Sequence, residues 1–412
     1  MNGISRFAPL LGRPCAIARC EAGLLLRHRI RFFIYAKHAR GEIAEKAGRN
    51  RSPIIVVMAF VRKLAGRLPL DAITAGLVCG VAAFAYVLFR GTSSPVASDF
   101  DQLWYGARGV LRGVSPYGIV GPGREFDWDY LFYPMPAVVI TLPFALLPLL
   151  IARATFSAGS AFLLGAALWR EDRGRLLVFA TAPMLIALGR GQSSPVLLAS
   201  VFIPALSWLG TIKPNIALAL LPVSRNIRLT VIAGIVGTVV LLAVSFALEP
   251  TWVAQWRDVL AKKNDSAPAI MRFGGFLIPL VLLRWRRRES WLVLLLACLP
   301  QTPSFYDAVP LFAVPKGVRQ TALLSLCGNI AFLLLVSGVG FPADTTYGVR
   351  VTTLSVLFMY LPAVGLVLFR PNTSEPLADT GSRPSRADLP LFAALAFSAF
   401  FAFWGTVAKY RV

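Results

Sequence analysis

Histidine is almost absent from this chain, which has only His28 and His38 among its 412 residues. Both lie near the N-terminus, so a histidine metal centre and histidine general-base catalysis are excluded from the long apolar part that follows. Three of the five cysteines lie in apolar runs, where a thiol usually packs as a small hydrophobe. Cys15 and Cys20 have no second pair with which to form a zinc site. We therefore expect neither a metal nor a cofactor.

Acidic residues are also scarce, with 20 Asp and Glu against 42 Lys and Arg and a formal net charge of +22. In membrane proteins such basic residues collect in cytoplasmic loops and at the depth of the lipid headgroups. The sequence has no soluble module that carries basic and aromatic residues in a pattern typical of nucleic-acid binding, so nucleic acid is not an expected partner. The positive charge instead favours contact with membrane lipids.

Mean hydropathy is +0.66 and 56% of the residues are hydrophobic, which is too apolar for a soluble chain of this length. Continuous apolar runs, rather than alternating strands, predict an all-α polytopic membrane protein with about eleven to thirteen transmembrane helices. Many runs are broken by proline, which is tolerated at membrane depth only where protein or a cavity shields the backbone. The predicted spans are 70–89, 134–150, 152–168, 176–189, 195–209, 213–223, 229–248, 273–284, 290–300, 308–315, 320–340, 351–369 and 389–407. The expected location is a bacterial inner membrane.

Composition divides the chain into four segments. Residues 1–65 form a basic cytoplasmic segment, which is either a true extension or the product of an upstream start with Met58 as the alternative initiator. Residues 66–369 form the membrane domain. Residues 370–388 are polar and rich in Pro and Ser, which predicts a flexible linker, and residues 389–412 form a last transmembrane helix.

The positive-inside rule sets the orientation of the membrane domain. Arg62, Lys63 and Arg67 precede the first apolar run, which places the start of that run in the cytoplasm and the loop 90–133 outside. Three later basic loops are then cytoplasmic: 224–228, 284–288 and 316–319. In the same scheme the basic segment 170–175 falls outside, against the rule.

The first extracytoplasmic loop concentrates carboxylates, since five of the twenty acidic residues lie between Asp99 and Asp129. The apolar spacing within residues 101–113 predicts a short amphipathic helix that ends at Gly113. Asp99, at the start of this helix, is either an N-cap or a catalytic carboxylate, and the same position could serve both roles.

A second extracytoplasmic loop, residues 249–268, places Trp252, Trp256 and Leu260 at four-residue steps, as on a helix that lies in the membrane interface. Membrane anchoring is favoured over ligand binding for this helix. Lys262 and Lys263 would then lie at the depth of phosphate groups.

The first loop contains an ordered pattern of residues, Asp99, Phe100, Trp104, Ala107, Arg108, Leu111, Gly113, Pro116 and Tyr117. This pattern resembles the signature of glycosyltransferase family 87, a family of membrane-embedded GT-C enzymes related to polyprenol-phosphate-mannose-dependent α-mannosyltransferases. Three later segments match family elements in order: YPMPAVVITLPFALLP at 133–148, GRGQSSPVLL at 189–198 and TIKPNIALALLP at 211–222. The chain departs from the pattern at Met135, which replaces a proline, and at Ser193 and Ser194, where Asn is common.

The resemblance implies a GT-C-like fold and an enzyme that moves a hexose, with mannose favoured, from a polyprenyl-phosphate donor to a lipid or glycan acceptor. It implies Asp99 as the general base that removes a proton from the acceptor, with Asp101 as the rival. The phosphate leaving group needs cations rather than an acid. The candidate residues for the donor phosphate or the substrate are Arg108, Arg112, Lys213, Gln192, Arg190, Lys262, Lys263, Tyr117 and Asp307.

Several of these candidates also have a structural interpretation. Lys213 and Arg190 either serve the site or extend to the interface, and Gln192 either binds sugar hydroxyls or bonds a neighbouring helix. Asp307 either contacts hydroxyls or caps a helix that begins near Ala308, and the cap is slightly favoured.

Two other functions compete with the enzyme. A membrane transporter or flippase fits the broken helices and buried cations, and a third reading is a non-catalytic scaffold. The absence of an internal repeat and the acidic first loop favour the glycosyltransferase.

Overall fold

The computed structural model describes residues 70–93, 98–262, 267–300, 304–342, 344–373 and 386–408. The predicted N-terminal segment, most of the predicted linker and Lys263 lie outside these residues. Within them the chain is helical and forms no strand; Val120 and Phe126 make an isolated bridge. The all-α prediction is confirmed for this part of the chain.

The α-helices of the described residues are α1 (Leu70–Ser93), α2 (Asp99–Leu111), α3 (Pro116–Ile119), α4 (Met135–Thr141), α5 (Leu149–Glu171), α6 (Ala182–Gly189), α7 (Ser194–Phe202), α8 (Pro214–Leu220), α9 (Ile227–Leu248), α10 (Trp252–Leu260), α11 (Arg288–Cys298), α12 (Gly317–Ser337), α13 (Tyr347–Ser355), α14 (Leu361–Leu368) and α15 (Leu389–Ala408). A π-helical turn, Val356–Tyr360, joins α13 to α14. The 3₁₀ segments are Phe144–Leu146, Arg173–Ala180, Pro204–Ile212, Leu221–Val223, Ala269–Met271, Gly275–Arg284, Phe305–Ala313 and Arg386–Asp388.

Six helical segments of the described chain are long and apolar enough to cross a membrane, which fits a membrane protein. They are Leu70–Thr92, Leu149–Glu171, Ile227–Leu248, Gly317–Ser337, Tyr347–Leu368 and Leu389–Val407. A seventh is reached if α6 and α7, which are bent by 112°, count as one span. This count is lower than the predicted eleven to thirteen. Several other predicted spans form short helices or 3₁₀ segments, often with a proline at or near a break, because proline removes a backbone donor and clashes with the preceding turn.

The clearest difference from the predicted topology lies between residues 134 and 171, where two spans were expected. The structure has the short helix α4, a 3₁₀ turn and one long helix, α5, with Pro143 and Pro148 at the breaks. Helix α5 packs extensively against α1, and its last turn returns to the start of α1. There the Trp169 indole donates a hydrogen bond to Asp71 at 2.8 Å. The two helices are therefore antiparallel, and this stretch has one helix long and apolar enough to cross a membrane where two spans were predicted.

Because one long helix replaces two predicted spans, the basic segment 170–175 lies on the opposite side of the membrane domain from the one predicted. Arg173 lies 3.4 Å from Asp71, at the start of α1. Asp172 accepts a hydrogen bond of 2.8 Å from the backbone of Gly317, within a loop that the positive-inside rule assigns to the cytoplasm. The structure therefore puts this segment beside the start of α1, whereas the predicted scheme put the two on opposite sides of the membrane, and the revised position agrees with the positive-inside rule.

Helix α2 is packed into the body of the described domain rather than projecting from it. Phe100, Leu103, Trp104 and Ala107 are buried on its inner side. The Phe100 ring lies 5.2 Å from the ring of Phe156 on α5, measured between centroids. The first loop therefore carries a fixed helix, and the side chains at its start have defined positions.

Candidate functional site

The first turn of α2 shows which of its two aspartates takes part in capping the helix. Ser98 is the N-cap residue, and Asp101 accepts hydrogen bonds from the Ser98 backbone N–H at 2.8 Å and from its hydroxyl at 2.9 Å. This is the arrangement in which the third helical residue closes the cap. Asp99 is the first helical residue and not the cap, so its carboxylate is not needed for capping.

Asp101 is held in a structural ion pair. Its carboxylate accepts three hydrogen bonds from Arg153 on α5, at 3.1, 2.6 and 2.5 Å, and the residue is only 1% exposed. A guanidinium matches a carboxylate in this two-pronged way better than any other side chain. The bonds from Arg153 and Ser98 engage both oxygens of Asp101, which does not line the cavity described below.

Asp99 instead begins a chain of polar contacts between residues far apart in sequence. Its Oδ2 accepts a hydrogen bond from the side-chain amide of Gln192. The other end of that amide, Oε1, accepts a hydrogen bond of 2.8 Å from Nζ of Lys213. Lys213 in turn lies 3.2 Å from Oδ1 of Asp307. The structure thus brings together four of the residues that the sequence predicted.

Gln192 reaches Asp99 because the chain breaks sharply between α6 and α7. Gly191 lies at this break with φ +61°, a left-handed conformation that favours glycine. A Cβ at this position would lie 2.7 Å from Cβ of Phe100, so only glycine lets the break approach α2 this closely. The backbone N–H of Gln192 donates to the Ala187 carbonyl at 2.8 Å, which holds the backbone from which the amide side chain extends.

Lys213 lies between the 3₁₀ segment Pro204–Ile212 and helix α8, outside the six candidate spans. Its Nζ is 5.2 Å from the ring centroid of Tyr306 and 5.7 Å from that of Tyr133, which adds cation–π attraction to its hydrogen bonds. Burial lowers the pKa of the Lys213 ammonium, but the attraction of Asp307 and other neighbours outweighs burial, and the pKa lies above its usual value. Lys213 is therefore a partly buried cation with fixed partners rather than a side chain extended to the interface.

Asp307 does not cap a helix. Its 3₁₀ segment begins at Phe305, three residues earlier than the cap interpretation required, and Ser304 is the N-cap residue. The Asp307 side chain is buried against Lys213, with 9% of it exposed. The favoured cap prediction was wrong because an ion pair with a distant lysine took the place of a local backbone contact.

Asp99, Lys213 and Asp307 border a cavity of about 720 Å³, within the range of small-molecule sites. Its lining residues are Asp99, Gln102, Asp129, Phe132, Tyr133, Pro134, Ile212, Lys213, Pro214, Asn215, Trp256, Leu260, Lys262, Pro300, Ser304, Tyr306 and Asp307. The lining combines carboxylates, two ammonium groups and aromatic rings. Within the described residues no group of three or more His, Cys, Asp and Glu could hold a metal ion.

Two predicted phosphate-binding arginines lie away from the cavity. Arg108 lies over the ring of Trp104, 4.8 Å from its centroid, and Arg112 pairs with Glu125 at 2.8 Å. Both guanidinium groups are on the outer side of α2, because positions four apart share a face of a helix. Tyr117 is also absent from the lining; its buried hydroxyl donates to the Tyr133 carbonyl at 3.1 Å.

The remaining candidates lie at or near the cavity. Lys262 lines it and lies 4.6 Å from the ring centroid of Tyr130. Arg190 is 5.9 Å from the ring centroid of Tyr306, beside the polar chain. Lys263 is outside the described residues.

Sequence reasoning missed two residues that matter here. Gln102 follows Asp99 by about one turn of α2, so the two share a face, but the predicted helix began only at residue 101 and did not include Asp99. Arg153 lies in the apolar run that begins at Leu149, and a charge in such a run indicates a partner or a function. Trp256, interpreted as a membrane anchor, also lines the cavity, with its indole N–H donated to the Phe132 carbonyl at 2.9 Å.

The arrangement suits proton removal beside a bound anion. Among the described residues no donor contacts Oδ1 of Asp99, so this oxygen can accept a proton while Gln192 holds the other. Lys213 and Lys262 supply positive charge to the same cavity.

Comparisons with protein-family models, with curated proteins and with solved structures find no match for this chain. Its function is therefore inferred from the geometry of the site and from the sequence resemblance.

Proposed function

We propose that this chain is an integral membrane glycosyltransferase of GT-C-like fold. It moves a hexose, with mannose favoured, from a polyprenyl-phosphate donor to a lipid or glycan acceptor on the extracytoplasmic face. The observation that carries the proposal is Asp99, whose Oδ1 has no donor among the described residues and whose side chain shares a cavity with Lys213 and Lys262.

The reaction needs one base and one cationic site. Oδ1 of Asp99 takes the proton from the acceptor hydroxyl as that oxygen attacks the anomeric carbon of the donor sugar. The bond between this carbon and the phosphate oxygen breaks, and the phosphate leaves with the electron pair. Because the leaving group carries negative charge, ammonium groups stabilise it without giving up a proton.

Gln192 and Asp307 position the two reacting groups. The Gln192 amide occupies Oδ2 of Asp99 and so keeps Oδ1 directed elsewhere. Lys213 donates to Gln192 and to Asp307, which uses two of its three N–H groups and leaves one for a phosphate oxygen. The hydrogen bonds of Gln192 therefore link Asp99 to Lys213, so a displacement of either side chain also moves the other.

A transporter or flippase is the second candidate. The observation in its favour is the 112° bend between α6 and α7, with Gln192 beside the bend, because broken helices of this kind form substrate sites in transporters. A transporter needs no general base, so the role of Asp99 separates the two candidates.

The test is Asp99→Asn in the purified full-length protein. Sugar transfer from a polyprenyl-phosphate-mannose donor to acceptors in a membrane lipid extract should fall about a hundredfold to ten-thousandfold. The melting temperature should be almost unchanged, because Asn keeps the shape and can still bond Gln192. Asp129→Asn is the matched control, since Asp129 lines the same cavity but, within the described residues, bonds only the adjacent Tyr130 backbone.

Near-normal transfer by Asp99→Asn, with transfer abolished by Asp101→Asn, would assign the role of the base to Asp101. Near-normal transfer by both variants would refute the glycosyltransferase proposal and leave the transporter as the stronger candidate.

A further inference from the structure

A cluster of charged side chains surrounds the start of α12, in a loop that the positive-inside rule assigns to the cytoplasm. Its carboxylates are already held by arginines: Glu289 lies 3.1 Å from Arg370, and Glu171 pairs with Arg225. The cluster has five cations and three carboxylates, namely Arg175, Arg225, Arg287, Lys316 and Arg370 against Glu171, Asp172 and Glu289. It therefore keeps an excess of positive charge after its carboxylates are paired.

Lys316 is the cation through which this excess charge reaches the surface, since 46% of its side chain is exposed. Glu289 lies 3.8 Å from its Nζ, which is too far for a hydrogen bond, and no described residue accepts a hydrogen bond from this ammonium. Partial burial and the repulsion of Arg175 lower the pKa of Lys316, and the attraction of Glu289 does not offset them. An anion beside Nζ would supply the acceptors and the negative charge that the protein does not.

Gln320, in the first turn of α12, adds donors at the same place. Its Oε1 accepts hydrogen bonds from the backbone N–H of Lys316 at 2.9 Å and from Arg370 at 2.7 Å, which identifies the oxygen end of the amide. The other end is an NH₂ group with two donors, which no described residue accepts and which is open to solvent. Lys316 and Gln320 therefore offer neighbouring donors to a ligand.

The chemistry and the location of these donors favour a phosphate group. A phosphate has several acceptor oxygens and a negative charge, so it can bond the ammonium and the amide together. The buried cations Arg175 and Arg370 add attraction, whereas Glu289 opposes it but is only 8% exposed and is held by Arg370. Helix α12 is a candidate membrane span that begins at Gly317, so its start lies near the depth of lipid phosphate groups.

We propose that Lys316 and Gln320 form a binding site for a phosphate group at the cytoplasmic end of α12. Neither residue lines the cavity that contains Asp99, so this site is separate from the proposed reaction centre and does not depend on the transfer reaction. The phosphate belongs either to the headgroup of an anionic phospholipid or to a soluble phosphate, because both present the oxygens and the charge that these donors bind.

The test is Lys316→Gln, which removes the charge and keeps most of the side-chain length. The probes are dihexanoyl phosphatidylglycerol, dihexanoyl phosphatidylcholine and inorganic phosphate, each titrated against the purified full-length protein in a neutral detergent. The wild type should bind an anionic probe more tightly than phosphatidylcholine, and Lys316→Gln should weaken that binding about tenfold to a hundredfold. Tighter binding of phosphatidylglycerol than of inorganic phosphate assigns the site to a lipid headgroup, and the reverse order assigns it to a soluble phosphate.

Arg228→Gln is the matched control, because Arg228 is an exposed cation of another loop assigned to the cytoplasm and pairs with no described residue. It removes the same charge and should keep the wild-type affinity for the probes. The free protein supplies a second readout. Since the surroundings of Lys316 disfavour its charge, Lys316→Gln should melt without ligand at the same temperature as the wild type or higher.

Equal weakening of anion binding by Lys316→Gln and Arg228→Gln would show a general attraction to the basic surface and overturn the site. A lower melting temperature for Lys316→Gln, with anion binding intact, would show that Lys316 is a structural partner of Glu289 and overturn it as well. Failure of the wild type to bind either anionic probe more tightly than phosphatidylcholine would have the same consequence.

Discussion

Arg153 donates three hydrogen bonds to the carboxylate of Asp101 and thereby joins the first-loop helix to α5, with the shortest at 2.5 Å. Both side chains are buried, at 9% and 2% exposed. Asp99 lies two residues from this anchor, at the start of the same helix. The ion pair therefore helps to set the direction in which Asp99 points.

The first prediction is that Arg153→Met destabilises the protein by about 3–5 kcal/mol, because it leaves the Asp101 carboxylate buried without its partner. Arg112→Met is the control, since the Arg112–Glu125 pair is about half exposed and should contribute less than about 1 kcal/mol. Thermal unfolding in detergent micelles measures both. The double variant Asp101→Asn with Arg153→Met should recover part of the loss; equal melting temperatures for Arg153→Met and Arg112→Met would contradict this account.

The second prediction separates the two cavity lysines. Lys213→Gln should lower both the rate of transfer and the melting temperature, because it leaves Asp307 buried without its cation. Lys262 is exposed and lies in the turn that follows α10. Lys262→Gln should therefore raise the KM for the donor by up to about tenfold and leave the melting temperature unchanged.

Arg108→Gln is the control for the lysine variants, since Arg108 is an exposed cation of the first loop that does not line the cavity. It should alter neither the donor KM nor the melting temperature. A rise in donor KM for Arg108→Gln and none for Lys262→Gln would place the phosphate on the outer face of α2 instead.

The third prediction concerns the break between α6 and α7. Gly191→Ala must adopt a left-handed conformation and also place its Cβ against Phe100, which displaces Gln192 from Asp99. Gly113→Ala has a similar φ of +73° but meets no atom within 4 Å, so it pays only the backbone strain of about 1–2 kcal/mol. Transfer should fall at least about tenfold for Gly191→Ala alone. Equal activity of the two variants would show that the close approach of the break to α2 is not required.

The fourth prediction tests the corrected topology by thiol labelling of intact cells. In a background without the native cysteines, Gly118→Cys should react with a membrane-impermeant reagent, because Gly118 is exposed and has open space at its Cβ. Arg173→Cys and Arg286→Cys should be protected, since both positions are exposed on the side assigned to the cytoplasm. Labelling of Arg173→Cys together with Gly118→Cys would restore the two-span topology between residues 134 and 171. Labelling of Arg286→Cys in place of Gly118→Cys would reverse the orientation and remove the donor assignment.

Local pattern in the sequence was enough to predict several elements. Hydropathy indicated a helical membrane protein, and apolar spacing predicted the first-loop helix, which the structure has at Asp99–Leu111. The same reasoning predicted the short helix Trp252–Leu260. It did not predict the number of crossings, because an apolar run that contains proline can form either one span or two short helices, and the choice depends on what shields its backbone.

The sequence by itself determined that two aspartates stand at the start of a helix after the first span. Only the tertiary structure decided which of them keeps a carboxylate oxygen without a donor among the described residues. Asp101 is engaged by Arg153, 52 residues away, and Asp99 joins Gln192 at the break between α6 and α7. Hydropathy and helical period act over a few residues, whereas these contacts depend on how distant elements pack, so the sequence could propose the carboxylates and only the fold could assign them.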